Sequence, residues 1–411
     1  MNIEEQERIE AVNRYIRGDK PANIYGEMNR SETWLFKWVK RFKSGDGEWY
    51  KSQSRVPNNP GRATCEDIEK AVVNTRITLM DSNEHESKYL GVGADSIQYR
   101  MHKLGFSEDE IPSISTIKRI VKKHNLKANR REQYKRVKSK KRYTLLNPTQ
   151  IGEMHQIDFV GPRFIKGYGA ISSLNLIDVV CNQVHIEQYN SRSMDNVIGF
   201  LIRYWSNDTI PGYLQVDNGM YFIGDFKYPR KFSRFIRLCL YVGIELVFIA
   251  PRSPWMNGSI ENFNNWFGDK FWEKEDFTSL EDMRTKSLHF IDQYNALSAW
   301  KKRDKRLTQI NPAKMLNDDV KINLDKLPLT KGKIHFIRKV DNEGRISILN
   351  EVFFLSKEFI GEYVWTTIDL TQQRMKVSYQ AKDQDTAALI KNLAYTIDEK
   401  IHPIIPNIWK S

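Results

Sequence analysis

Two neighbouring segments decide the fold: QVDNGMYFIGDF at residues 215–226 and GIELVFIAPRSPWMNGSIENFNNWFGDKF at residues 243–271. Asp217 ends an apolar run of the kind that forms a buried strand. Glu261 stands near the start of a helix, because the prolines before it keep the approaching chain extended. A third acid, Asp158, lies in the short strand-like run MHQIDFVG. We expect these three carboxylates to lie together in the folded chain.

The pattern around these segments predicts an RNase H-like α/β core over residues 151–318. The predicted elements are strands at His155–Val160, Ala170–Val180 and Gln183–Tyr189, a helix at Ser193–Trp205, a strand at Tyr213–Val216, a helix at Pro229–Val242, a strand at Ile244–Ile249 and a helix after Pro254. In this topology the first and fourth strands are neighbours. Asp158 and Asp217 are therefore expected side by side.

Three converging carboxylates repel one another strongly unless cations neutralise them. Hard oxygen ligands with open water positions suit Mg²⁺ or Mn²⁺ better than zinc. Two such ions, about 4 Å apart, activate a water or a 3′-hydroxyl group and stabilise the leaving oxygen of a phosphodiester. The predicted chemistry is metal-dependent phosphoryl transfer. Taken singly, each acid could equally be an ordinary turn or surface residue.

The motifs QIDFVGP, VDNG and PxxPxxNGxxENFN occur in this order. They resemble the catalytic core of retroviral-type integrases and of bacterial insertion-sequence DDE transposases with an integrase core. The resemblance implies that Asp158, Asp217 and Glu261 bind two divalent ions, Mg²⁺ or Mn²⁺. It also implies strand cleavage at element ends, joining of 3′-hydroxyl ends to target DNA, and a homo-multimer acting on double-stranded DNA with terminal inverted repeats.

The sequence departs from that family pattern at two places. A stretch of 43 residues separates Asp217 from Glu261, which is longer than the common spacing and indicates a surface insertion. Many members also carry Lys or Arg seven residues after the glutamate, and this chain has Gly268 there. Asn264 and Asn265 share the helix face of Glu261, and we expect them to contact DNA.

Residues 1–50 are predicted to form a helix-turn-helix DNA-binding domain. Helical periodicity covers Ile3–Gly18, a short second segment and Glu32–Phe42, whose apolar stripe leaves a basic face. Side chains of these types reach phosphates and base edges when a second helix lies in the major groove. The expected DNA contacts are Arg30, Thr33, Lys37, Lys40 and Arg41. The alternative is a protein-binding three-helix module with a solvated basic face.

A linker at 51–64 leads to a second predicted helix-turn-helix or winged-helix-like domain at 65–126. Lys118 and Lys122 are its expected DNA contacts. The basic linker at 127–150 follows, with nine Lys or Arg against one acid in residues 127–142. A charge run of this kind is often only solvated, but here we expect it to follow the DNA backbone. The expected contacts are Arg130, Arg131, Lys135 and Arg136.

Residues 319–411 show a period of two from Lys333 onward, which predicts a small all-β barrel. The resemblance implies an SH3-like module that binds DNA or promotes multimerisation. The expected fold class is therefore a multidomain chain with an all-α arm, an α/β core and an all-β end.

The formal charge of +13 favours a polyanionic partner, and no apolar run is long enough to cross a membrane. The three cysteines lie far apart and indicate neither zinc nor disulfides. We expect a cytoplasmic, nucleoid-associated transposase. The alternatives are a catalytically inactive regulator derived from a transposase and an RNase H-type metal nuclease, although predicted readers of B-form DNA disfavour the latter.

Overall fold

The computed structural model describes residues 2–45, 47–52, 64–81, 84–127, 146–224, 229–310, 312–317, 322–381, 384–404 and 408–410. The chain divides into two compact units, Met1–Cys65 and Glu66–Ser411. In the described part of the chain, no helix combines the length and apolar character needed to cross a membrane.

The first unit is helical, as predicted, with α1 at Ile3–Ile16, α2 at Pro21–Glu27 and α3 at Glu32–Lys43. Ser31 caps α3, since its side chain accepts a hydrogen bond from the backbone amide of Trp34 at 3.2 Å. The apolar stripe of α3 packs against α1 and α2. The buried residues of this small core are Ala11, Val12, Ile24, Leu35, Trp38, Val39 and Trp49.

The second unit begins with three predicted helices, α4 at Glu66–Met80, α5 at Ala94–Lys103 and α6 at Ile114–Lys123. The segment between α4 and α5 packs on the core that follows. The backbone amide of Tyr89 donates to Gln293 Oε1 at 3.1 Å, so this helical region is attached to the core through buried contacts.

The core follows the predicted order. Its elements are β1 at Met154–Ile165, β2 at Gly169–Asp178, β3 at Val184–Tyr189, α7 at Met194–Asn207, β4 at Tyr213–Val216, α8 at Met220–Ile223, α9 at Arg234–Tyr241, β5 at Glu245–Phe248, α10 at Gly258–Phe267 and α11 at Leu280–Lys302. The strands lie in the order β3–β2–β1–β4–β5, with β1, β4 and β5 parallel. The helix expected from Pro229 begins later because Ser233 is its cap and accepts from the amide of Ile236 at 3.2 Å.

The C-terminal region is all-β, as expected. Its strands are β6 at Met315–Leu316, β7 at Leu329–Thr330, β8 at Lys333–Lys339, β9 at Arg345–Ile348, β10 at Glu351–Phe354, β11 at Tyr363–Asp369, β12 at Arg374–Tyr379, β13 at Ala388–Ala394, β14 at Ile401–His402 and β15 at Trp409–Lys410. The structure differs from the expected barrel in how this region is attached.

Strand β8 pairs in parallel with β5, and β11, β12 and β13 continue outward from it. Nine of the described strands thus form one continuous sheet across the predicted boundary at 318/319. The pairing gives the edge of β5 a partner, since an open edge leaves a row of unsatisfied backbone groups. One large apolar cluster runs through both parts, with Leu214 and Phe248 from the core beside Phe336 and Ile368 from the terminal strands.

Candidate active site

Asp158 lies in β1, opposite Asn175 of β2. Its Oδ2 accepts a hydrogen bond from Asn264 Nδ2 at 3.2 Å. Asn264 Oδ1 in turn accepts one from Asn175 Nδ2 at 2.9 Å. Asn264 was expected to contact DNA, and the structure instead engages both ends of its amide inside the site. The first acid is thereby tied to the next strand and to α10.

Asp217 is the first residue after β4, and its Oδ1 accepts a hydrogen bond from the backbone amide of Gly219 at 2.8 Å. Gly219 has a φ of −61°, which any residue adopts, so its backbone conformation does not itself call for glycine. A Cβ at Gly219 would lie 2.5 Å from Cζ of Tyr221. A side chain at Gly219 would therefore have to displace the Tyr221 ring.

Two buried glutamines, each two residues before an aspartate, hold the start of α10 in place. Gln156 of β1 and Gln215 of β4 are register partners in the sheet. Gln156 Oε1 accepts from the backbone amide of Ile260 at 2.9 Å, and Gln215 Nε2 donates to the carbonyl oxygen of Met256 at 2.8 Å. The strands that carry the two aspartates therefore also position the helix that carries Glu261.

Asp217 and Glu261 lie close enough to Asp158 to affect its charge. Burial raises the pKa of Asp158 to about 7, and the charges on Asp217 and Glu261 act in the same direction. Burial also raises the pKa of Asp217, against the opposing effects of the Gly219 amide and the Arg192 guanidinium. Arg192 was absent from the sequence prediction. It is a cation that faces both aspartates.

A metal ion fits this site by its donor chemistry. Among the described residues, no group of three or more histidine, cysteine or acidic side chains is arranged, as it stands, to hold an ion. The two aspartates turn to amide donors instead. Three carboxylates from three separate elements nevertheless offer the hard oxygen ligands that Mg²⁺ and Mn²⁺ prefer. A divalent ion among these side chains would offset the repulsion that Asp217 and Glu261 add to the effect of burial on the pKa of Asp158.

Gly268 follows α10 directly, at the start of a π-helical turn that runs to Trp272. A Cβ at Gly268 would lie 3.6 Å from Nη2 of Arg163. Arg163 comes from the exposed end of β1, and its guanidinium carbon lies 5.3 Å from the centre of the Trp272 ring. The guanidinium group of Arg163, which comes from β1, therefore lies beside Gly268. Gly268 is the position two helical turns after Glu261 that lacks a basic side chain.

Asp178 and His155 are structural partners away from the triad. Asp178 is 4% exposed, and its carboxylate lies 3.4 Å from Nε2 of His155. Burial alone would raise the pKa of Asp178, but hydrogen bonds from His155 and from backbone amides outweigh it and hold the pKa at about 2. The amides that donate to this carboxylate belong to Gly152, Val180 and Cys181.

The tryptophans near α10 differ in exposure. Trp272 is 7% exposed and packs in the core, and Trp266 is partly buried against α11 and the preceding helical region. A Cβ at Gly91 would lie 2.7 Å from Cη2 of Trp266, so this ring is held tightly. Trp255 is 44% exposed and lies just before α10. Of the three rings, Trp255 is the one available to a base.

The predicted DNA contacts of the first unit differ in how they are held. Thr33, Lys37 and Lys40 are exposed along α3. Arg30 forms an ion pair with Glu7 at 2.6 Å, and Nη1 of Arg41 donates to the carbonyl oxygen of Lys51 at 3.0 Å. The exposed side chains on α3 are therefore the ones directly available to DNA, whereas the two arginines also stabilise the unit.

In the second helical region, Lys118 and Lys122 are exposed on α6 and line a hollow of about 580 Å³ with Lys127. By contrast, Lys123 pairs with Glu69 at 2.6 Å. Asn265 is exposed beside Asn264 on α10. The remaining predicted contacts lie outside the described residues and are Arg130, Arg131, Lys135 and Arg136.

Comparisons with known proteins match two segments of this chain. Residues 2–48 match a family described as a homeodomain-like domain, and residues 242–297, which include Glu261, match the integrase core domain family. Comparison with curated proteins gave no match.

Similar solved structures include two retroviral cores. One is the HTLV-2 integrase catalytic core domain in complex with magnesium, in dimeric form, at 17% identity over 34% of this chain and 85% of that chain, with a TM-score of 0.26. The other is the BIV integrase catalytic core domain, at 16% identity over 39% and 88%, with a TM-score of 0.25. By its family matches, the chain joins a homeodomain-like helix-turn-helix to an integrase core domain, a combination consistent with a DDE transposase.

Proposed function

We propose that this protein is a DNA transposase that cleaves the ends of its element and joins their 3′-hydroxyl groups to target DNA. The observation that carries the proposal is the grouping of Asp158, Asp217 and Glu261. They come from β1, the end of β4 and α10, yet the charges of Asp217 and Glu261 both act on the buried carboxyl group of Asp158. A purely structural role would not require three acids to be held together against their repulsion.

In this proposal Asp158, Asp217 and Glu261 hold two divalent ions, Mg²⁺ or Mn²⁺. When bound, these ions activate the attacking hydroxyl and stabilise the leaving oxygen of the phosphodiester. The reaction then needs no side-chain nucleophile. The bond from the attacking oxygen to phosphorus forms as the bond to the leaving 3′-oxygen breaks.

The chain's own residues orient the acids and bind the DNA backbone. Asn264 fixes the direction of the Asp158 carboxylate, and Gln156 and Gln215 fix the helix that carries the third acid. Arg192 supplies positive charge to Asp158 and Asp217, and Arg163 supplies it beside Gly268. Guanidinium groups suit this task because their fork of donors matches phosphate oxygens.

The helical regions select the DNA on which this site acts. Lys37 and Lys40 of α3, with Thr33, present an exposed polar face of the kind that reads a major groove. Lys118 and Lys122 of α6 add a second contact to phosphates. Two element ends must be joined in concert, so we propose a homo-multimer that binds terminal inverted repeats and target DNA at the nucleoid.

An inactive DNA-binding regulator is the second candidate, because Gly268 leaves α10 without its basic side chain and the aspartates turn to amide donors. One experiment separates the two functions. The protein is incubated with Mg²⁺ or Mn²⁺, a labelled duplex carrying the inverted repeats that flank its gene, and a plasmid target.

The transposase proposal predicts joined products that disappear in Asp217→Asn and Glu261→Gln. Asp195→Asn is the matched control, since this exposed acid pairs with Arg234 at 2.6 Å away from the site and should leave joining unchanged. Binding of the repeats without any joined product would support the regulator instead.

A further inference from the structure

Arg338 is a cation buried among apolar side chains of the C-terminal strands. It is 5% exposed and lies on β8, where it follows Ile334 and Phe336 on the same face of the strand. Both of those residues are fully buried in the large core cluster. An arginine thus occupies an inward position in a stripe that is otherwise apolar.

Its hydrogen bonds within the described residues go to neutral oxygens. Nη2 donates to Asn218 Oδ1 at 3.0 Å, and Nη1 donates to the carbonyl oxygen of Ile249 at 3.1 Å. Nε and Nη1 also donate to the carbonyl oxygens of Ser347 and Ile337 at 2.9 and 2.8 Å. The Asn218 side chain also binds Ile249, because its Nδ2 donates to the same Ile249 carbonyl oxygen at 2.7 Å.

Arg338 joins Asn218 and Ile249, which lie just beyond the ends of β4 and β5. Asn218 follows Asp217 directly after β4. Ile249 follows the last residue of β5 and opens the segment that leads to Glu261. We propose that Arg338 is a positioning residue for the transfer site, locking the ends of β4 and β5 together and so setting Asp217 relative to Glu261. The inference rests on the proposed function.

The choice of arginine supports a positional role. Burying a charge among neutral partners is costly. Burial lowers the pKa of Arg338 to about 10, so the side chain stays charged at neutral pH. A lysine offers a point charge in place of a planar fork and cannot reach Asn218, Ile249 and Ser347 in the same way. In this proposal the C-terminal strands, through Arg338 of β8, help to position the acids of the core.

The test compares the full-length protein with Arg338→Met, Arg338→Lys, Asn218→Ala and the Arg338→Met/Asn218→Ala pair. Arg237→Met is the matched control. Arg237 also ties the C-terminal region to the core, through Glu399 at 2.5 and 2.7 Å, but its partners lie away from the acids. Three quantities are measured: the joining rate at saturating DNA, the Mn²⁺ affinity by calorimetry without DNA, and the Tm.

We expect Arg338→Met and Asn218→Ala each to slow joining by about 10- to 100-fold, as sub-ångström to ångström displacements of reacting groups do. Mn²⁺ affinity should weaken in the same variants, and Arg338→Lys should recover part of both. The double variant should be no slower than the worse single variant, because both changes remove one linkage. Arg237→Met should lower Tm while joining and Mn²⁺ affinity stay unchanged.

The inference is overturned if Arg338→Met lowers Tm but joins DNA and binds Mn²⁺ as Arg237→Met does. It is also overturned if the double variant slows joining by the product of the Arg338→Met and Asn218→Ala effects. If Arg338→Met does not fold, Asn218→Ala and Arg338→Lys decide by the same criteria. Failure of the wild-type protein to join DNA is a different result. It would refute the proposed function, whereas Mn²⁺ affinity that depends on Arg338 would still support the positioning role.

Discussion

Replacing Asp178 with asparagine tests how β1, the strand that carries Asp158, is anchored. The carboxyl group has a pKa of about 2 in the folded chain against an ordinary 3.8. This difference stabilises the fold by about 2 kcal/mol at neutral pH. Because the folded pKa is the lower one, the stabilisation is complete above pH 4 and is lost as the pH falls through 2. About half should be gone near pH 3.

Thermal unfolding from pH 7 to pH 2.5 provides the measurement. At pH 7, Asp178→Asn should unfold several degrees below the wild-type protein, because the charged carboxylate that accepts from three amides and contacts His155 is lost. The gap should close toward low pH, where a protonated aspartate resembles asparagine. Asp195→Asn, an exposed acid, should change stability by under about 1 kcal/mol. A gap that stays constant with pH would refute the reasoning.

Three further changes test the site and the DNA contacts. Asn264→Ala should slow joining by about tenfold or more with little change in Tm, because the Asp158 carboxylate loses the hydrogen bond that orients it. An unchanged joining rate would contradict this role of Asn264. Arg163→Ala should weaken DNA binding during joining and reduce its salt dependence, measured by titration at several salt concentrations, and equal salt slopes would count against a phosphate contact. Lys40→Ala should lower the salt slope of repeat binding by about one, measured in the same way, and a wild-type slope would exclude α3 from the interface.

Much of the core was predictable because its signals are local. Apolar periodicity and capping residues such as Ser31 and Ser193 set where helices begin, since each satisfies an amide of its own helix. The strand order then follows from the alternation of strands and helices. It brings Asp158 and Asp217 to neighbouring strands, which the structure shows.

The attachment of the C-terminal region was not predictable in the same way. A period of two in KIHFIRKV identifies a strand but does not say which strand it pairs with. The partner of β8 is β5, far away along the chain, and the pairing is decided by a free sheet edge and by shared apolar surface. Pairing of this kind is a property of the folded chain.

Two arginines, Arg338 and Arg163, were missed because their contacts are long-range. Arg338 reaches Asn218 across 120 positions of sequence, and Arg163 reaches Gly268 from a different element. Two signals were nevertheless present in the sequence. Gln stands two residues before the acid in both QID and QVD, and an arginine interrupts the apolar alternation of β8.

The most direct test of the central claim uses an element end already cut to expose its 3′-terminus. Joining to a plasmid in Mn²⁺ is measured for a terminus with a 3′-hydroxyl group and for one with hydrogen in its place. We predict joined product from the hydroxyl end with the wild-type protein, none from the hydrogen end, and none from either end with Asp217→Asn. Equal joining from both ends, or undiminished joining by Asp217→Asn, would contradict transfer by the triad.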